Sequence, residues 1–263
     1  MPYAAVNGTE LHYRIDGDRH GSAPWIVLSN SLGSDMSMWA PQVAALSKHF
    51  RVLRYDTRGH GHSETPKGPY TIGQLTGDVI GLMDTLKITR AHFCGLSMGG
   101  LTGIALAARH GDRFDRFVLC NTAARIGSPE VWVPRAAKAR GEGMLALADA
   151  VLPRWFTADY MEREPVVLAM IRDTFVHTDK EGYASNCEAI DAADLRPEAP
   201  GIKAPVLVIS GTHDLAATPA QGRDLAQSIP GARYVELDAS HISNIEQVSA
   251  FNRTLLDFLT EQK

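Results

Sequence analysis

Cysteine is scarce in this chain of 263 residues: Cys94, Cys120 and Cys187 are all it has. An odd count without C-x-x-C spacing excludes a disulfide framework and a thiolate zinc site, and it points to a reducing compartment. Long apolar runs are missing too, with none near the about 18 residues that a membrane helix needs. The opening residues, MPYAAVNGTELHYRIDGD, lack the basic stretch and apolar run of a secretory signal. Nor is there an excess of positive charge. Against 26 Lys and Arg stand 30 Asp and Glu, a formal net charge of −4, whereas a nucleic-acid binder concentrates basic residues to neutralise phosphates. Internal repeats and low-complexity tracts are absent. The balance of 44% apolar and 21% charged residues is that of an ordinary globular protein with a sizeable core. The expectation is a soluble cytoplasmic protein with neither membrane nor nucleic acid as partner; no oligomeric state can be read from the pattern.

What is present is alternation. Residues 26–28, 52–55, 92–94, 117–120, 206–209 and 234–237 read as strands, several apolar throughout, as strands buried on both faces of a parallel sheet are. Helical periodicity lies between them, as in 101–109, and follows them in 251–259. Strand, helix, strand at this spacing predicts βαβ units and a doubly wound α/β sheet. Residues 1–16 read as an opening antiparallel hairpin turned at Asn7-Gly8. From 125 to 194 the strand rhythm stops and the sequence is Ala-rich, charged and helical. The segment predicts a helical cap inserted between two parts of one core, 1–124 and 195–263.

The strongest chemical signal is Gly95-Leu96-Ser97-Met98-Gly99, directly after the strand at 92–94 and before a helix. G-x-S-x-G in that context is a nucleophile elbow. Its turn is so tight that flanking side chains would collide, which accounts for the glycines. It lifts a serine hydroxyl above the sheet at a helix N-terminus, where N–H groups favour negative charge. Gly100 and Gly103 let that helix approach the sheet. A serine nucleophile needs a base and an orienting acid. Asp214 follows the strand at 206–209 and His241 follows that at 234–237, so three strand ends on one sheet edge carry Ser97, Asp214 and His241. His213 is a rival base and Asp238 a rival acid. The oxyanion donors expected are the N–H groups of Met98, after the nucleophile, and Leu32, in the loop 29–33. His60-Gly61-His62 has no third ligand at zinc-like spacing and reads as a structural turn.

Asp56-Thr57-Arg58-Gly59-His60-Gly61-His62-Ser63 resembles the D-x-R-G-x-G-x-S loop of α/β-hydrolases, and with the elbow, acid, base and cap the resemblance spans essentially the whole chain. Asn30-Ser31-Leu32-Gly33, residues 120–127 (Cys-Asn-Thr-Ala-Ala-Arg-Ile-Gly) and Asp214 followed by Ala217-Thr218-Pro219 resemble the 3-oxoadipate enol-lactonases in particular. The resemblance implies an α/β-hydrolase fold and a small anionic lactone as substrate, opened through an acyl-enzyme on Ser97 in aromatic catabolism, with no metal and no cofactor. An anionic arm asks for a cation. Residues 125–140 hold Arg125, Arg135, Lys138 and Arg140 against Glu130 alone, a local charge of +3, so Arg135 and Arg125 are expected at the carboxylate and Trp132 against the ring. The same scaffold also serves carboxylesterases, perhydrolases and small-molecule receptors. Dehalogenases and epoxide hydrolases, whose families use an aspartate where Ser97 stands, are disfavoured.

Overall fold

The computed structural model describes residues 2–17 and 21–261. Its strands are β1 (Tyr3–Val6), β2 (Thr9–Asp16), β3 (Trp25–Ser29), β4 (Arg51–Tyr55), β5 (Ala91–Leu96), β6 (Phe114–Cys120), β7 (Val206–Gly211) and β8 (Arg233–Leu237). Each of the six strands expected from apolar runs is present and somewhat longer than its run. Met1, within the expected hairpin, lies outside the described residues. The rest of that hairpin forms: Asn7 and Gly8 take φ of 47° and 74°, the left-handed pair that a two-residue turn demands.

The main-body helices are α1 (Ala40–Leu46), α2 (Ile72–Thr85) and α3 (Met98–Arg109), and between β6 and β7 come α4 (Pro129–Glu142), α5 (Leu145–Val151), α6 (Ala158–Arg163), α7 (Pro165–His177) and α8 (Lys180–Asp191). After β7 follow α9 (Pro219–Ser228), α10 (Ser243–Glu246) and α11 (Val248–Thr260). A reciprocal capping box starts α2: Thr71 Oγ1 accepts the Gln74 N–H at 3.1 Å and Gln74 Oε1 accepts the Thr71 N–H at 2.9 Å.

The eight strands form one sheet in the order β1-β2-β4-β3-β5-β6-β7-β8. β2 runs antiparallel to β4, and from β4 across to β8 every pairing is parallel. The chain passes outward from β3 to β4, then returns to lay β5 on the other side of β3. Loops leaving β3 and β5 therefore rise side by side at a reversal of strand order, the crevice where open α/β sheets bind ligands. Every residue of β5 and β7 is buried. Phe93, Phe114 and Phe117 lock the middle of the sheet with ring centroids 5.0–5.9 Å apart, each buried ring contributing roughly 1.5–3 kcal/mol.

Among the described residues, the segment between β6 and β7 contains no strand. It leaves and re-enters the sheet at one point, where the Leu195 N–H donates to the Ala124 carbonyl at 2.8 Å. Within it α4 packs on α8, and α8 in turn rests on the loop after β4. There two backbones touch: a Cβ on Gly182 would stand 2.3 Å from the Gly59 carbonyl oxygen. Gly182→Ala is therefore expected to force backbone apart and cost about 1–3 kcal/mol. The readout is the midpoint of thermal unfolding; a wild-type midpoint would refute the close packing of α8 on this loop.

Candidate active site

Ser97 sits where β5 turns into α3 with φ 59° and ψ −113°, a left-handed value rare for a residue with a side chain. Such a backbone stores about 1–3 kcal/mol and persists only where the surroundings over-determine it. Here they do. The Ser97 N–H donates to the Cys120 carbonyl at 2.8 Å, and its carbonyl accepts from Leu101 N–H and Thr122 Oγ1, both at 2.9 Å. Gly99 presses onto the end of β3, where a Cβ would lie 2.2 Å from the Ser29 carbonyl oxygen.

Most amides around this turn have acceptors. Ser31 N–H donates to Met38 Sδ at 3.3 Å, Gly33 N–H to His60 Nε2 at 2.8 Å and Gly99 N–H to the Asn30 carbonyl at 3.0 Å. Among the described residues, the N–H groups of Leu32 and Met98 have none, and Leu32 lines the cavity into which Ser97 opens. Two free donors beside a serine hydroxyl are the arrangement that holds a developing oxyanion.

The loops after β7 and β8 bring Asp214 and His241 together, with His241 Nδ1 and Asp214 Oδ2 2.8 Å apart and both residues nearly fully buried. Asp214 Oδ1 accepts N–H bonds from Ala216 at 2.7 Å and Ala217 at 3.0 Å, and Asn121 Nδ2 donates to Oδ2 at 3.1 Å. Burial pushes the Asp214 carboxyl up, yet His241, the Ala217 N–H and Asn121 outweigh it together and hold it below its usual range. An ionised Asp214 accepting from Nδ1–H leaves His241 Nε2 as the free base position. His241 and Ser97 line one cavity without a hydrogen bond between them, a contact that is often loose before substrate binds. The rivals stand elsewhere: His213 Nε2 pairs with Asp238 Oδ1 at 2.9 Å on the exposed side.

The cavity measures about 200 Å3 and is roofed by the helical segment: Val131, Trp132, Arg135, Val151, Arg154, Trp155 and Tyr183 all line it. That is below the ~300–1,000 Å3 of pockets for drug-sized ligands, so it takes a small molecule. Trp132 anchors its indole N–H on the Ile126 carbonyl at 2.7 Å, with the Arg135 guanidinium 4.9 Å from its ring centre. Of the basic residues expected at the mouth, only Arg135 faces the cavity. Arg125 does not line it and instead lies 3.5 Å from Asp194, a carboxylate that Arg196 also grips. Arg140 is held by Glu181 and Glu188, and Lys138 lies 3.8 Å from Glu142. Counting charges along the segment misses this pairing, because the acidic partners lie on other helices or farther along. Arg154 is the cation that sequence reasoning missed; like Arg135, it has no carboxylate partner among the described residues, and it spans from the cavity to the Leu215 carbonyl at 2.7 Å.

Asn121 and His60 lie in the stretches 120–127 and 56–63, whose sequence does not say what either side chain touches. Asn121, fully buried with φ 47°, donates to Asp214 and to the Ser240 carbonyl, both at 3.1 Å, and accepts from Ser243 Oγ at 2.6 Å. It thus ties the acid loop to the base loop. His60 is turned inward, away from His62, whose ring packs edge-on against His12 at 5.0 Å. Burial drives the His60 imidazole down to about 4, against smaller upward pulls from the Arg58 carbonyl and nearby carboxylates. It stays neutral, and Nε2 remains an acceptor for Gly33 N–H, beside Leu32.

This geometry matches a known family. A family model described as the alpha/beta hydrolase fold covers residues 24–149. The chain is 45% identical to 3-oxoadipate enol-lactonase 2 of Acinetobacter baylyi, over 93% of this chain and 91% of that protein. It is 38% identical to 3-oxoadipate enol-lactonase 1 of the same organism, over 96% and 94% respectively. The crystal structure of the enol-lactonase from Burkholderia xenovorans LB400 superimposes with a TM-score of 0.98 at 88% identity, covering 99% of this chain and 100% of that one. The chain belongs to the α/β-hydrolase family. Within it, this is an enzyme of the carboxylic ester hydrolase class, similar to the 3-oxoadipate enol-lactonases.

The buried His60 gives the fold an acid-sensitive element. Its imidazole stays neutral in the folded protein until about pH 4, while in the unfolded chain it takes a proton below about pH 6.5. The unfolded state therefore binds more protons between those values, so stability is intact above pH 6.5 and falls by about 3 kcal/mol toward pH 4. His60→Gln, which keeps an acceptor for Gly33 without a titrating group, should show a shallower fall in unfolding free energy between pH 7 and pH 4.5. Parallel pH profiles would remove His60 from the account.

Proposed function

We propose that this enzyme opens 3-oxoadipate enol-lactone to 3-oxoadipate through an acyl-enzyme on Ser97, in the catabolism of aromatic compounds. The observation that carries the reading is the His241–Asp214 pair, 2.8 Å apart, with His241 facing the same small cavity as Ser97 and Leu32. The three buried free thiols support a cytoplasmic setting. Residues 125–194 act as the cap that closes the cavity over the substrate.

In this reading His241 Nε2 takes the Ser97 proton as Oγ bonds to the lactone carbonyl carbon. The carbonyl oxygen becomes the oxyanion and settles on the N–H groups of Leu32 and Met98, each donor contributing on the order of 3 kcal/mol to the transition state. Asp214 fixes the imidazole and stabilises the imidazolium. The ring C–O bond then breaks, and His241 returns its proton to the enol oxygen, which stays tethered in the acyl chain. Water, giving up a proton to His241, attacks the acyl carbon; Ser97 leaves and regains that proton. The released enol tautomerises to the ketone.

The lactone keeps a carboxylate arm throughout. Arg135 and Arg154, guanidinium groups at the cavity wall without a carboxylate partner among the described residues, supply the attraction, and Arg can grip a carboxylate with two parallel bonds. The Tyr183 phenol, pushed up by burial against the opposing pull of Arg135, stays protonated and adds no competing charge. Trp132 offers an apolar wall to the ring.

Ser97→Ala is expected to abolish turnover of the lactone, generated in place from muconolactone, and of p-nitrophenyl acetate, with the fold intact; retained hydrolysis would remove Ser97 as nucleophile. Arg135→Ala should raise KM for the lactone by about tenfold or more, the worth of one hydrogen bond to a charged group, and leave KM for the neutral ester nearly unchanged. Equal rises on both substrates would count against a carboxylate grip. A wild type that prefers the neutral ester would keep the serine hydrolase and discard the lactone.

A further inference from the structure

The cavity that holds Ser97 and His241 has an apolar neighbour. A groove of about 650 Å3 runs between α7 and residues 33–41, lined by Met38, Val166, Met170, Ile171, Ile242 and Ile245 among others. Several contacts stand between the two spaces, among them the Ser31 N–H of the cavity donating to Met38 Sδ of the groove at 3.3 Å, and Phe175 packed on Trp155 and Tyr183. Leu32 faces the cavity and the next residue, Gly33, faces the groove; His241 faces the cavity and Ile242 the groove. At these two junctions the main chain passes directly from one space to the other. Trp155 lines both spaces and is the only described residue to do so.

Trp155 is set firmly. It is 5% exposed and stands edge-on to Phe175 at 5.6 Å, which stands edge-on to Tyr183 at 5.7 Å. Its carbonyl accepts the Ile242 N–H at 3.0 Å. The backbone at 155 is therefore held to the base loop through the main chain, whatever side chain it carries.

We propose that Trp155 is a specificity-determining residue: its indole is the partition that ends the substrate space and keeps apolar acyl chains out of the groove beyond. Without it, the chain of a medium-length ester would pass from beside Ser97 into an apolar channel, where each buried methylene is worth about fourfold in binding. The inference rests on the serine hydrolase reading of the cavity but not on the identity of the lactone.

The test compares wild type with Trp155→Ala, and with Trp155→Leu as the milder cut should the alanine variant fail to fold. Substrates are p-nitrophenyl acetate and p-nitrophenyl octanoate. The octanoate-to-acetate ratio of kcat/KM is expected to rise by about tenfold or more. Calorimetric titration with octanoate, which needs no turnover, should show tighter binding to the variant by a similar factor. An unchanged ratio and unchanged octanoate affinity in a folded variant would overturn the partition, as would an equal loss on both esters, the mark of a merely structural prop. A shifted ratio in an enzyme that turns over the enol-lactone poorly would leave the partition standing and remove only the lactone.

Discussion

Gly99 rests on the end of β3: its N–H donates to the Asn30 carbonyl at 3.0 Å, and the Ser29 carbonyl fills the place where a Cβ would be. That backbone-on-backbone approach sets the distance between the elbow after β5 and the loop after β3. The Ser97 hydroxyl and the free N–H groups of Met98 and Leu32 are thereby placed by one contact rather than by independently moving loops. The strained Ser97 backbone is affordable because its N–H and carbonyl are both taken by neighbours. Preorganisation of this kind lets donors meet developing charge without reorganising at the moment of reaction.

The helical segment is bolted to the same machinery from above. Ser240 Oγ donates to the Arg154 carbonyl at 3.0 Å, the Ile242 N–H donates to the Trp155 carbonyl at 3.0 Å, and Arg154 reaches the Leu215 carbonyl at 2.7 Å. Glu246, buried, accepts from the Thr157 hydroxyl and N–H with one oxygen and from the Ser240 N–H with the other. Residues 154–157 thus touch both the acid loop and the base loop, and the roof of the cavity and the position of His241 are a single mechanical unit. α7, with Phe175 as its one buried residue, is held far less tightly.

Charge follows the same economy of placement. Most cations of the helical segment named from its sequence end in ion pairs on its surface, which contribute little in water. Arg135 and Arg154 are left to the cavity wall, half-buried, where their charge is available to an anion. Two buried groups near the serine are each held in one state: Asp214 ionised by its donors, His60 neutral by burial.

The architecture was legible because its signals are local. Apolar runs mark β3 to β8, Asn7-Gly8 marks the first turn, and G-x-S-x-G marks the elbow, each a consequence of steric or burial rules acting over a few residues. Ser97, Asp214 and His241 stand out as candidates since each follows a buried strand, and parallel strands end on a common edge. Thr71-x-x-Gln74 and Thr218-x-x-Gln221 are capping boxes of the same local kind before α2 and α9. The contacts of Asn121, His60, Arg154 and Trp155 were not legible, nor was the diversion of Arg125 to Asp194. Their roles depend on which groups from distant segments surround them. Sequence by itself determined where the chain extends, turns and exposes a serine, because those outcomes are set by residues within a turn or two. Only the tertiary structure decided which arginine meets a carboxylate and which the cavity wall, because pairing and burial depend on contacts made across 40 to 120 residues of chain.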